Sequence, residues 1–342
     1  MNKLNYNEIK ALQSKGFFTV DENVRTMDGG VAGLTSGNNF IPAGLLTNLS
    51  PDMVKVITRK RTADSLVGPK KKVLDWAQND VVIPVLEQLG EAQAYSDYGT
   101  PSAVAVNPTF VNAGHYRYFT KIQVGALESE QLSLARIAAE AEKTAAALET
   151  LAIQDNNISI FGLASVPQGA AYPVRGLLNA ENLPAYAAMT TTGTTATFAS
   201  VYEDVQSMIS EIIVASNGHI DPSSKFVLAI PSGRSTWLGL VNDFGRSVLE
   251  ILKINYPNLE IVLSPELAGA YTGGLDAVYL RAEAAGLGNV ADTAVQGFSE
   301  FARASAVEVK ALVKEQVLSA GTVGAIVYRP YLYARRYLNA GE

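Results

Sequence analysis

The chain has 342 residues, a formal net charge of −6 and no cysteine; 48% of its residues are hydrophobic and 18% are charged. That length and apolar content support a sizeable core, in two domains or in one domain with long excursions. The missing cysteines exclude disulfides, thiolate metal sites and thiol nucleophiles, and the negative charge excludes a chain-wide nucleic-acid binder. The charged fraction is below the roughly 25% of ordinary soluble domains. Such a composition suits either a surface covered in part by other subunits or an Ala-rich enzyme. No apolar run reaches the ~18 residues of a membrane span, and Met1–Tyr6 lacks a signal-peptide core. The expectation is a soluble protein made in a cytoplasm.

Residues 1–72 read as an arm. A short amphipathic helix is predicted over Tyr6–Lys15, closed by Gly16. The Gly/Asn/Thr-rich stretch Asp28–Asn39 then carries no hydrophobic period. A loop that long is unusual inside a compact domain; an arm lying on a neighbour explains it better. A basic run follows, with Lys55, Arg59, Lys60, Arg61, Lys70, Lys71 and Lys72 against one acid, Asp64.

Residues 73–126 read as strands around a long connection. Val81–Leu86 is strand-like, and Tyr116–Val124 alternates. Between them the Gly-, Ser-, Pro- and Tyr-rich segment Gly90–Gly114 has the pattern of a two-stranded excursion, marginal alone in water. A long helix is predicted over 127–155, on a stripe of Leu134, Ile137, Ala138, Ala141, Ala145, Leu148 and Ala152, ending near Asn156-Asn157. Residues 158–198 read as loop. Residues 199–300 read as an α/β lobe: a helix over Ala199–Ser216 stopped at Asn217-Gly218, a buried strand Phe226–Ile230, a helix opened by Ser232 as N-cap, a helix over Ser247–Asn255, and strands Leu259–Leu263 and Ala277–Leu280. Residues 301–342 are expected to return to the first domain as an antiparallel pair turning at Ser319-Ala320-Gly321.

Catalytic motifs fail one by one. Two histidines, His115 and His219, are too few for a metal site, and both read as surface or turn residues. No phosphate-binding G-x-x-x-x-G-K-[ST] and no G-x-S-x-G is present. Gly286–Ala291 matches G-x-G-x-x-A, but the ~50 residues after it read mainly as antiparallel strands, so a Gly-rich loop is preferred to a dinucleotide site. Glu128, Glu130, Glu140 and Glu142 read as a solvated helix surface. Leu86–Gly114 carries Glu87, Glu91 and Asp97 but no Lys or Arg. The acidic tip of one copy lying on the basic run of another would give head-to-tail packing, the geometry of rings and shells.

The order of elements resembles the major capsid proteins of tailed bacteriophages, whose α+β fold is shared with encapsulins. Local phrases carry the resemblance: Gln88–Gly99 is similar to the extended loop of one capsid branch, Leu127–Ala135 to the start of its spine helix, and Asn157–Gly162 with Val174–Asn179 to the "N-x-I…G…GLLN" stretch after it. The resemblance implies an N-terminal arm (1–72), an extended loop with base strands (73–126), a peripheral domain with the spine helix (127–198), an axial domain (199–300) and a return to the peripheral domain (301–342). It implies a non-enzymatic shell subunit without cofactor or metal, assembling with itself into hexamers and pentamers around double-stranded DNA and located in the virion. The expected partners are a separate scaffolding protein, because residues 1–40 are too short and too little charged to serve, a portal protein and a decoration protein. The loop tip has no Lys, so no Lys–Asn cross-link of the kind some members form is expected. Two alternatives stand beside this reading: an encapsulin-like compartment holding a cargo enzyme, and an NAD-dependent enzyme using Gly286–Ala291.

Overall fold

The computed structural model describes residues 60–95, 97, 99, 103–134, 138–167, 169–192, 196–283 and 292–339. The helix expected at Tyr6–Lys15, the stretch 28–39, Lys55, Arg59 and Gly286–Ala291 lie outside them.

The first layer is a six-stranded sheet built on one long strand, β12 (Val313–Val327). It pairs antiparallel along its length with β4 (Tyr116–Gly125) and further on with β9 (Ala294–Phe298). Outside β9 lies the short parallel strand β1 (Lys70–Lys72). Two-residue strands β10 (Arg303–Ala304) and β11 (Glu308–Val309) also pair with β12. Helix α3 (Ala139–Phe161) packs over this sheet, burying Ala147, Leu151 and Ile158 against Tyr118, Ile122, Val124, Leu318 and Ala320.

The second layer is a five-stranded sheet in the order β5 (Ala187–Thr192), β13 (Tyr333–Asn339), β8 (Ala277–Ala282), β6 (Phe226–Pro231), β7 (Leu259–Ser264). Its strands β6 and β8 are buried on both faces, with alternate residues in different cores. Phe226, Leu228 and Ile230 face α4 (Phe198–Ala215) and α5 (Val248–Asn255), while Ala229 and Tyr279 join a core with Leu177, Leu267 and the one-turn helix α1 (Ala63–Leu66). Both α4 and α5 begin with capping boxes, at Thr197/Ser200 and Ser247/Glu250.

A buried polar knot joins these layers. The Asn156 Oδ1 of α3 accepts the backbone N–H of Thr62 and of Ala63, each at 3.0 Å. Its Nδ2 donates to Glu266 Oε1, and Glu266 Oε2 accepts from Thr62 Oγ1 and Ser264 Oγ. Every donor named here is matched, as burial of polar groups demands.

Four elements differ from the sequence reading. The long helix is split into α2 (Ala126–Leu134) and α3, with Ala138 extended at the start of α3. No Gly or Pro breaks it. Lys143 Nζ on α3 donates to Glu128 Oε2 on α2 and to the Gln123 carbonyl, and so holds α2 against the end of β4. The buried stripe of α3 is turned by one residue from the expected one, because an Ala-rich helix is apolar on most sides and its larger residues Leu151 and Ile158 decide. The helix also runs past Asn156-Asn157 to Phe161 and stops at Gly162, whose φ of 69° suits glycine. At 319–321 there is no turn: β12 runs straight through. A Cβ at Gly321 would overlap His115 Nε2 and Ser299 Oγ, so the glycine marks close packing rather than a bend. Ser232 is the first residue of a 3₁₀ helix capped by Pro231, not an N-cap. At the C-terminus, β13 lies in the five-stranded sheet and only β10–β12 in the first.

Candidate assembly interface

Strands β2 (Asp80–Leu89) and β3 (Ala105–Gly114) form a separate two-stranded ribbon, the expected excursion. At ~3.4 Å per residue its ten-residue strands project about 30 Å. Pairs Val82↔Asn112, Pro84↔Phe110 and Leu86↔Pro108 fix which side chains share a face. One face carries Val81, Ile83 and Val111, packed near the root against Leu74, Ala113, Val295, Val323 and Ile326. The other carries Val82, Pro84, Leu86, Val106, Pro108 and Phe110, all exposed; Leu86 is 65% and Phe110 56% accessible. An apolar face of this kind marks an interaction surface. A proline in a paired strand sits with its nitrogen outward, so Pro84 and Pro108 deprive both edges of a donor.

The root of the ribbon is fixed by several contacts. Asp80 accepts the backbone N–H of Ala171 and Tyr172. Gly114 donates to the Pro173 carbonyl, and a Cβ there would overlap the Tyr172 carbonyl. Arg117 donates to the carbonyls of Trp76 and Gln78 and to Asn79 Oδ1 while lying over the Trp76 ring. His115, read from the sequence as a surface or turn residue, lies between β3 and β4 and is 1% exposed. Its imidazole pKa is lowered first by burial and then by nearby Arg117, against the opposing pull of the Gln78 carbonyl. His219 is exposed in the turn after α4, as read from the sequence.

The basic run and the acidic tip occupy different settings. Arg61 pairs with Glu149 at 2.6 Å and Lys70 with Asp155 at 2.7 Å; Lys71 pairs with Asp292, and Lys72 with Asp75 at 3.1 Å. These four cations are already engaged within the chain, and Lys60 is exposed. On the ribbon, Glu87 accepts from Asn107 across the strands, and Glu91 and Asp97 are exposed near the tip. Tyr95 hydrogen-bonds Asp97, which raises its phenol pKa. The partners of Arg61, Lys70, Lys71 and Lys72 named here lie outside the tip.

Three exposed apolar features went unnoticed in the sequence. Val309 is exposed in a groove of about 340 Å³ that it lines with Ile122, Val124, Val307 and Lys314, and Leu312 is exposed in a second groove that Val309 also lines. Leu127 is exposed on α2, and so is Leu134, which the sequence reading placed in the apolar stripe of the long helix. Phe244, 90% exposed, tops a turn in which Asn242 Oδ1 accepts from the N–H groups of Phe244 and Arg246. Single apolar residues in a polar sequence carry no period, so only the fold reveals their exposure. Of the carboxylates read as solvated, Glu128 pairs with Lys143 and Glu140 with Lys314, both at 2.6 Å. Among the described residues no group of acidic or histidine side chains can hold a metal ion, and no helix is long and apolar enough to cross a membrane.

Comparison with known proteins agrees with this architecture. No curated protein matches the sequence. Among solved structures, the capsid of Myoviridae phage XM1 superposes with a TM-score of 0.69 at 12% identity, over 87% of this chain and 99% of that one. A structure from Gordonia phage Cozz gives 0.56 at 14% identity, over 94% and 99%. A virus-like particle from Pyrococcus furiosus gives 0.50 at 13% identity, over 81% and 92%. At such identities these likenesses establish the fold, the capsid fold anticipated above. The profile of the Pa193 gp26 major capsid protein family matches residues 32–337, nearly the whole chain, and favours a phage shell over a cargo compartment. The chain therefore belongs to the Pa193 gp26 major capsid protein family and is a capsid shell protein.

Proposed function

We propose that copies of this chain assemble as hexamers and pentamers into a closed head around double-stranded DNA, without catalytic activity. The observation that carries this reading is the ribbon, whose outer face of Val82, Leu86, Val106 and Phe110 has no cover in the single chain. A second copy supplies that cover, with Glu91 and Asp97 near the tip lying over the neighbour's surface and Glu87 contributing its charge from the opposite face. The basic run Lys55, Arg59, Lys60, Arg61, Lys70, Lys71 and Lys72 is assigned to the contact between copies; Lys60 is exposed, and Arg61 and Lys70–Lys72 also pair within the chain. Each contact is modest, and repetition through the shell multiplies it.

The proposed location is the virion, after assembly in the host cytoplasm. The proposed partners are a separate scaffolding protein, a portal protein and a decoration protein, with the genome touched through sparse, sequence-independent contacts. Electron microscopy of the purified chain, alone and with its scaffold, tests this. Closed particles are expected; a strictly monomeric chain under every condition would overturn it.

A further inference from the structure

His115 stands where the ribbon meets the body of the protein, between β3 and β4. Its Nδ1 lies 2.7 Å from the Gln78 carbonyl, which can only accept, so Nδ1 carries the proton. Its Nε2 lies 2.8 Å from Ser299 Oγ, and in the neutral ring that nitrogen accepts the serine hydroxyl. The ring thus ties three stretches of chain: the segment before β2, the ribbon's exit, and the loop after β9. A fourth, β12, presses against it at Gly321, where no side chain fits. The His115 N–H also donates to the Asn79 carbonyl, at 2.8 Å.

The charged groups around this pin are poorly placed to welcome a second proton. From β4, Arg117 reaches the same Gln78 carbonyl. Trp76 meets the imidazole edge-on at 6.2 Å and is itself flanked by the guanidinium groups of Arg117 and Arg303. The acids on the surrounding elements are occupied: Asp75 by Lys72, Asp80 by the Ala171 and Tyr172 amides, Glu300 by Arg303. From β12 the ring is faced by a glycine. Protonation would turn Nε2 into a donor, and Ser299 would have to redirect its hydroxyl to the Gly321 carbonyl, 3.4 Å away.

We propose that His115 is a proton-responsive pin: its neutral form locks the root of the ribbon, and its protonation loosens the ribbon from the body. A histidine with a lowered folded pKa holds fewer protons folded than unfolded between the two values. Its contribution is therefore complete above its ordinary 6.5 and is lost as pH falls from there through the folded value. The consequence for a shell, a ribbon freer to change its inclination on a neighbour, rests on the function proposed above; the pin itself is a property of one chain.

Hydrogen–deuterium exchange of the full-length protein, corrected for intrinsic rates, at about pH 7.5 and about pH 5 tests it. Peptides covering β2, β3 and residues 75–79 are expected to lose protection at the lower pH, while β6 and β8 keep theirs. In His115→Gln, whose amide offers a donor to Gln78 and an acceptor to Ser299, that loss is expected to disappear. The chain has two histidines, so an imidazole NMR titration of the wild type gives an independent reading even if the variant folds poorly. A His115 titration at or above about 6.5, or an acid-induced loss as large in His115→Gln as in wild type, would overturn the proposal. Either result stands whether or not particles form.

Discussion

Replacing Phe110 with serine separates folding from assembly. Phe110 is 56% exposed in the single chain, which on a side chain of about 200 Å² leaves ~110 Å² for a neighbour to cover. At about 25 cal/mol per Å² this amounts to ~3 kcal/mol for each ribbon seated on another copy, an upper value because covering is never complete. It corresponds to a loss of about 100-fold in each pairwise contact. The cost to folding is small, on the order of 0.5 kcal/mol, because the residue faces away from the core its strand shares with Val111 and Ala113. Thermal unfolding of the dissociated chain and particle yield by sedimentation velocity report the two quantities separately. The expected outcome is an unchanged melting temperature with particle yield lost or displaced to much higher concentration. Wild-type assembly by Phe110→Ser would show that this face is not the contact, and a chain that fails to fold would show that Phe110 serves the fold of the single chain.

Three further substitutions probe the interior. Gly321→Ala forces a methyl group into the space of His115 and Ser299, and a loss of ~1–3 kcal/mol is expected in chemical denaturation. Asn156→Leu leaves the Thr62 and Ala63 amides without their acceptor; each stranded group costs ~1–3 kcal/mol, and faster proteolysis at the α1 end should accompany the loss. Ser247→Ala removes the acceptor of the Glu250 amide at the start of α5, at about 1 kcal/mol in thermal unfolding.

Much of this fold could be read from the residues where the pattern had one solution. Helix α4 presents Val201, Val205, Met208, Ile209, Ile212 and Ile213, and the structure buries all but Ile213, which is half-buried. Strand β6 is apolar throughout because it lies in the middle of a sheet covered on both sides. The reading failed where small residues leave the choice to tertiary packing. Alanines along α3 allow several stripes, so its buried face was misplaced. Gly321 has the composition of a turn and the role of a packing contact. Beside the break between α2 and α3, Lys143 reaches back to Glu128 and to the Gln123 carbonyl, contacts fifteen and twenty residues away that no helical period announces. As for the interface, the ribbon was visible as a Pro- and Gly-punctuated excursion, yet which of its faces is bare depends on the register between β2 and β3. The buried setting of His115 depends on Ser299 and Gly321, nearly two hundred or more positions away along the chain.

The central claim is that the ribbon's apolar face is covered by another copy in the shell. The natural sequence has no cysteine, so Leu86→Cys places a single thiol on that face. Its rate of maleimide labelling, compared between intact particles and dissociated chains, tests the claim directly. Fast labelling of the dissociated chain and strong protection in the particle are predicted; equally fast labelling in both would contradict it.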